Sequence, residues 1–168
     1  MRVVVVSDTH APRFWKTCPV GLIPHLRRAE LILHAGDVCV PSVLDELAAY
    51  APVRVVLGNN DGADVAGWGP PETRVSETAE FDIDGLRVAM IHDSGPRDGR
   101  LARMRRRFPV AQLVVFGHSH IPMDVCGGGL RILNPGSPTD KRRQPAGTFA
   151  SVTVADAVIH RAEIITVG

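Results

Sequence analysis

Along this chain, short apolar runs each end in a polar or glycine-containing segment, and the same order keeps returning. Val3-Val4-Val5-Val6 opens it. Four consecutive β-branched residues predict a strand buried on both faces, as at the centre of a parallel or mixed sheet. Leu31-Ile32-Leu33, residues 53–57 and residues 112–116 predict three more such strands. Helical spacing falls between the first three. Residues 19–30 carry it with Pro24 inside, which should kink or restart the helix. Residues 41–50 place Val43 or Leu44, Leu47 and Tyr50 on one face. The β-α-β-α-β order predicts right-handed parallel pairing.

The texture then changes. Residues 81–83 and 86–91, joined by Asp84-Gly85, predict an antiparallel hairpin. Residues 99–108 predict a helix with Leu101, Met104 and Phe108 inward; its arginines read as a solvated face, with phosphate binding as the second reading. Further hairpins turn at Gly127-Gly128-Gly129 and at Ala155-Asp156-Ala157, the latter between residues 149–154 and 158–167. Asn134-Pro135-Gly136-Ser137 is a tight turn leading into a polar loop, 138–146. Phe14 and Trp15, in the loop after His10, are expected to shield a neighbour. The loop 62–74, rich in Gly and Pro, is long enough to cover a site, and that reading stays open.

Composition narrows the class. A length of 168 residues predicts one domain over the whole chain. Hydrophobic residues make up 45% and aromatic residues only 5%, so the core is aliphatic. The balance of 19 basic and 18 acidic residues, net +1, disfavours nucleic acid as a partner and offers no field toward a membrane. No apolar run approaches the roughly 20 residues of a membrane helix. Val3–Val6 is too short for a secretion signal, and Asp8 follows it at once. Cys18, Cys39 and Cys126, odd in number and widely spaced, fit reduced thiols in a cytoplasm.

The chemistry stands where the apolar runs stop. Asp8 and His10 follow the first, Gly36-Asp37 the second, Gly58-Asn59 the third; His92 ends the hairpin, and Gly117-His118-Ser119-His120 ends the last buried run. Open α/β sheets place ligands at the carboxyl ends of their strands. Asp8, His10, Asp37, Asn59, His92, His118 and His120 are more donors than one ion needs, and they suit two. Imidazole with carboxylate accepts Mn²⁺, Fe²⁺, Zn²⁺, Co²⁺ or Ni²⁺, and the lack of a cysteine pair argues against structural zinc. Neither Ser7 nor Ser119 has a base partner that would make it a nucleophile. His25, His34 and His160 read as structural, and Asp61 reads as orienting a ligating imidazole. Lys141, Arg142 and Arg143 are either a solvated loop or a device that steers an anionic substrate.

In order and spacing, Asp8-x-His10, Gly36-Asp37, Gly58-Asn59, His92 and Gly117-His118-x-His120 resemble the calcineurin-like metallophosphoesterases. Asn134-Pro135-Gly136-Ser137 is similar to the small one-domain phosphodiesterase branch of bacteria and archaea. The resemblance implies an α/β fold, a four-layer α/β/β/α sandwich of two mixed sheets with a dinuclear site between their ends. It implies one divalent ion held by Asp8, His10, Asp37 and His120, and a second by Asp37, Asn59, His92 and His118, with Asp37 bridging. Mn²⁺ is expected first, with Ni²⁺, Fe²⁺, Co²⁺ or Zn²⁺ as alternatives. The implied activity is hydrolysis of a small phosphodiester by a hydroxide shared between the ions, with Asp37, Asn59 and Asn60 at the reacting centre. Asn60, Lys141, Arg142 and Arg143 are the expected substrate contacts. Phosphomonoester or nucleotide hydrolysis, and a non-catalytic binding scaffold of the same fold, are the rivals; a homo-oligomer is left open. Two departures stand out. Asn60 occupies a position where the superfamily often has a leaving-group histidine, and Asp93 follows His92 where glycine is usual.

Overall fold

The computed structural model describes residues 1–70 and 74–168. Two five-stranded mixed sheets form its centre. The first contains β1 (Arg2–Val6), β2 (Leu31–His34), β3 (Val53–Val55), β9 (Thr148–Ala155) and β10 (Val158–Thr166), in the order β10-β9-β1-β2-β3. The second contains β4 (Thr78–Ile83), β5 (Leu86–Ile91), β6 (Leu113–Val115), β7 (Met123–Gly127) and β8 (Leu130–Asn134), in the order β4-β5-β6-β8-β7. As the β-α-β-α-β pattern predicts, β1 pairs parallel with β2, and β2 with β3. In the second sheet β5, β6 and β8 are parallel, flanked by antiparallel β4 and β7.

Alternation along the strands sorts side chains into layers, because successive residues point to opposite faces. Val3 and Val5 face the second sheet in a core shared with Leu33, Val88, Met90, Val115 and Val152. Val4 and Val6 face the other way, onto helix residues Leu26, Leu44 and Leu47. Across the second sheet, Ala89, Val114 and Ile132 pack on Met104 and Phe108. The layers are therefore helix, sheet, sheet, helix, the expected sandwich, with the helices α1 (Ile23–Leu26), α2 (Ser42–Ala48) and α3 (Ala63–Ala66) on one side and α4 (Arg100–Arg107) on the other.

Several local expectations are corrected. Helical spacing over 19–30 yields only the single turn α1, and Pro24 stands at its start. Proline lacks the N–H that a helix interior requires, so Pro24 sits in the first positions of the turn, where that N–H has no helical partner to lose. The stretch 53–57 is a strand over Val53–Val55; the Val56 N–H still donates to His34 O, and the Leu57 N–H turns to Ser76 O. The loop 62–74 contains α3, with Val65 in the core and the Trp68 indole donating to Asp45 Oδ1, so these residues serve packing; 71–73 lie outside the described residues. Trp15 is buried and donates to Glu46 Oε2, whereas Phe14 is 39% exposed beside His10.

The arginines of α4 are not simply a solvated face. Arg100 donates to Gly95 O, Arg103 to Ser94 O, Pro96 O and Asp98 O, and Arg105 to Ala111 O and Gly128 O. Flexible cationic arms satisfy carbonyls that the loop after His92 would otherwise leave open. At Asp84-Gly85 both residues take positive φ, 47° and 82°, as the predicted two-residue hairpin turn requires.

A candidate metal centre between the sheet ends

Each expected donor leaves the carboxyl end of a strand, and the two sheets bring those ends together. Asp8, His10, Asp37, His118 and His120 all have left-handed backbone, with φ of 56°, 47°, 56°, 67° and 57°. For residues other than glycine that conformation costs on the order of 1 kcal/mol each and persists where the surroundings enforce it. Such a sharp exit turns the side chain back over the strand end. Glycines let the turns close: a Cβ on Gly117 would overlap Ser7 Oγ and come within 2.7 Å of Asp8 Oδ2, and one on Gly58 would overlap the Asp37 carboxylate.

Two carboxylates and three imidazoles converge at the centre. Asp8 Oδ1 lies 3.3 Å from His120 Nε2 and 3.9 Å from both His10 Nε2 and His92 Nε2. Asp37 Oδ2 lies 3.3 Å from His92 Nε2 and 3.6 Å from His10 Nε2. The His10 and His120 rings stack 5.1 Å apart at 19°, their Nε2 atoms 3.2 Å from each other. Asp8, His10 and His120 form one group able to hold an ion, and Asp8, Asp37 and His92 form another. Beside them, His118 Nδ1 meets Asn59 Oδ1 at 3.0 Å. Five of the seven expected donors make up these groups, and the His118–Asn59 pair stands beside them, the rings of His118 and His92 5.3 Å apart.

The donor set fits divalent cations. Asp8 is fully buried, and burial pushes its carboxyl up to about 7. Such a group calls for a nearby positive charge, because an isolated buried carboxylate is costly. His92 Nε2 is buried, has no hydrogen-bond partner among the described residues, and lies 3.3 Å from Asp37 Oδ2. Burial lowers the pKa of both His10 and His120, leaving their lone pairs free to ligate at neutral pH. Burial alone would raise Asp37, but His92 beside it and two hydrogen bonds from Asn60 hold it well below the usual carboxylate range.

Partners outside the donor set hold it in place. The Nδ1 of His92 donates to Ala35 O at 2.7 Å, and that of His120 to Asp140 O at 2.6 Å, so each ring turns its Nε2 inward. The Ser137 hydroxyl donates to Asp8 O and accepts the Asp140 N–H, which ties the Asn-Pro-Gly-Ser turn to the site. Asp61 orients no imidazole: its carboxylate collects the backbone N–H groups of Asp37, Cys39 and Gly58. Asp93 is exposed, accepts the Gly95 N–H and lines the cleft beside His92. Buried His34 bonds Thr9 Oγ1 and the Gly36 N–H, a structural role as expected. Asp140 and Cys39 escaped notice in the sequence, since one acts through a carbonyl and the other sits among residues without a motif.

The substrate contacts expected at 141–143 are unequal. Lys141 Nζ folds back onto Gln144 O and Pro145 O, while Arg142 Nε stands 3.9 Å from Asp140 Oδ2, itself 3.6 Å from His120 Nδ1. Arg143 is exposed. Asn60 turns both its amides to Asp37. A cleft of about 320 Å³ opens beside Asn59, His92 and His118 and reaches Asp93 and Arg107.

The sequence profile of the calcineurin-like phosphoesterase superfamily domain matches residues 1–157. The chain belongs to the calcineurin-like phosphoesterase superfamily. A "Probable metallophosphoesterase" of Methanothermobacter thermautotrophicus is 38% identical over 144 residues, spanning 84% of this chain and 80% of that protein. Among solved structures, Vacuolar Protein Sorting 29 from Cryptosporidium parvum shares the fold at a TM-score of 0.79 and 19% identity, over 98% of this chain and 97% of that one. A structure titled as a novel archaeal phosphodiesterase shares it at 0.73 and 19%, over 98% of this chain and 100% of that one. The superfamily is one of metal-dependent phosphoesterases, and Asp8, His10, Asp37, His92 and His120 are this chain's candidate ligands. Among the described residues no helix is long and apolar enough to cross a membrane.

Proposed function

We propose that the protein is a phosphodiesterase that works with two divalent cations, Mn²⁺ first among them. The observation that carries this is the buried convergence of Asp8 and Asp37 with His10, His92 and His120, drawn from both sheets. Asp8, His10, Asp37 and His120 would hold one ion; Asp37, Asn59, His92 and His118 would hold the other. Asp37 Oδ2 lies 3.6 Å from His10 Nε2 and 3.3 Å from His92 Nε2, within reach of both donor sets, and Asp8 is the residue common to the two groups observed. Bound there, divalent ions would lower the pKa of water and neutralise charge on the phosphoryl oxygens.

The chain's own residues do the rest. Asn60 holds both oxygens of Asp37, and the His118 N–H holds Asp8. Arg142 is the cation beside the His10–His120 edge and would attract the phosphate. The cleft between Asn59 and Arg107 gives a second ester arm a place to lie, which supports diesters over monoesters as substrates.

Metal loading followed by elemental analysis and hydrolysis assays tests this reading. Two ions per chain, with bis(p-nitrophenyl) phosphate cleaved in preference to p-nitrophenyl phosphate, is the expected result. His118→Ala should remove most of the activity and leave the fold intact, because the residue lies outside the core. One ion or none at saturation would overturn the two-cation reading. The likeness to Vacuolar Protein Sorting 29 favours one alternative, a binding scaffold of the same fold. Two bound ions with no hydrolysis of either ester would support that alternative.

A further inference from the structure

We propose that Cys39 is a positioning residue for His10, its sulfur holding the imidazole in the tautomer and orientation that present Nε2 to a cation. The inference rests on reading His10 as a ligand. An imidazole that ligates through Nε2 carries its proton on Nδ1, and that N–H needs an acceptor to lock the ring. His92 has Ala35 O in this role at 2.7 Å, and His120 has Asp140 O at 2.6 Å. His10 has a sulfur instead: Cys39 Sγ lies 3.6 Å from its Nδ1.

Backbone geometry supports the assignment independently. Cys39 takes a left-handed φ of 72°, unusual for a residue with a side chain, and its N–H donates to Asp61 Oδ1 at 2.7 Å. The same Asp61 carboxylate binds the N–H of Asp37. One anchor therefore sets both the Asp37 turn and the position from which the thiol reaches His10. At this distance the Cys39 sulfur offers a weak, polarisable acceptor to the ring N–H. Sulfur accepts more weakly than oxygen, which makes the His10 ring the least firmly held of the three.

Zn²⁺ serves as a diamagnetic probe. Its affinity is read by chelator competition, and solvent exchange of the His10 Nδ1–H by ¹⁵N-resolved NMR of the loaded protein, for wild type, Cys39→Ala and Cys39→Ser. The expected result is a protected Nδ1–H in wild type. Cys39→Ala should weaken one of two Zn²⁺ sites by roughly tenfold and expose that proton, while Cys39→Ser, which keeps an acceptor, restores most of both. Both variants should melt alike, since both retain the Cys39 N–H bond to Asp61. His10→Ala supplies the control. If it removes no Zn²⁺, the reading of His10 as a ligand fails and the proposal falls with it. If it removes one ion while Cys39→Ala changes neither affinity nor exchange, the site stands and the role of Cys39 is overturned.

Discussion

Asn60 grips Asp37 with two hydrogen bonds, its backbone N–H to Oδ1 at 2.9 Å and its side-chain amide to Oδ2 at 2.7 Å. A side chain spent in this way holds a carboxylate still.

Asn60→Ala should therefore weaken cation binding by roughly 10–100-fold, the usual penalty for removing a residue that orients a ligand. Chelator competition measures it. With no titratable group at this position, kcat/KM should also fall steeply as the leaving-group pKa rises. A series of aryl and alkyl esters gives the slope. Asn60→His should lose affinity along with the grip on Asp37, so it will not flatten that slope.

Gly117→Ala tests the closeness of the two strand ends. The added methyl would overlap Ser7 Oγ and press on Asp8 Oδ2 at 2.7 Å, inside the buried cluster. Overpacking of this kind costs roughly 1–3 kcal/mol. A lowered thermal midpoint together with weaker cation binding is expected; an unchanged midpoint would show that the ends have slack.

His34 makes stability depend on pH. Burial lowers its pKa from 6.5 to about 3, so as pH falls the unfolded chain takes up this proton first. Its contribution is present in full above about pH 6.5 and is lost as pH drops toward 3, by about 1.4 kcal/mol per pH unit at most. Urea unfolding of wild type and His34→Gln across this window reads the difference. The wild type should lose stability more steeply on acidification, and parallel curves would refute the assignment.

Of the three basic residues at 141–143, Arg142 should carry the effect on substrate. Lys141 is folded onto its own loop, whereas Arg142 approaches Asp140 next to His120. Arg142→Ala should raise KM several-fold at low salt with kcat nearly intact, and added salt should shrink the difference. Lys141→Ala should leave KM unchanged.

The sequence alone determined where the donors stand. Apolar runs with strand spacing, each followed by Asp, Asn or His, mark the carboxyl ends of β1, β2, β3, β5 and β6, because a buried strand must end where polarity begins. The Asp84-Gly85 turn was equally legible, since positive φ at both positions suits few other residue pairs. What only the tertiary structure decided are contacts between segments far apart in the chain. Arg103 looks solvated until the loop after His92 lays its carbonyls against it. Asp61 could serve an imidazole or a backbone, and the packing of β2 against β3 gives it three N–H groups instead. Cys39 carries no motif and gains a partner only when the turn after Asp37 reaches His10. Hydrophobic periodicity is a local property and survives in one dimension; hydrogen-bond partners are chosen by distance in three.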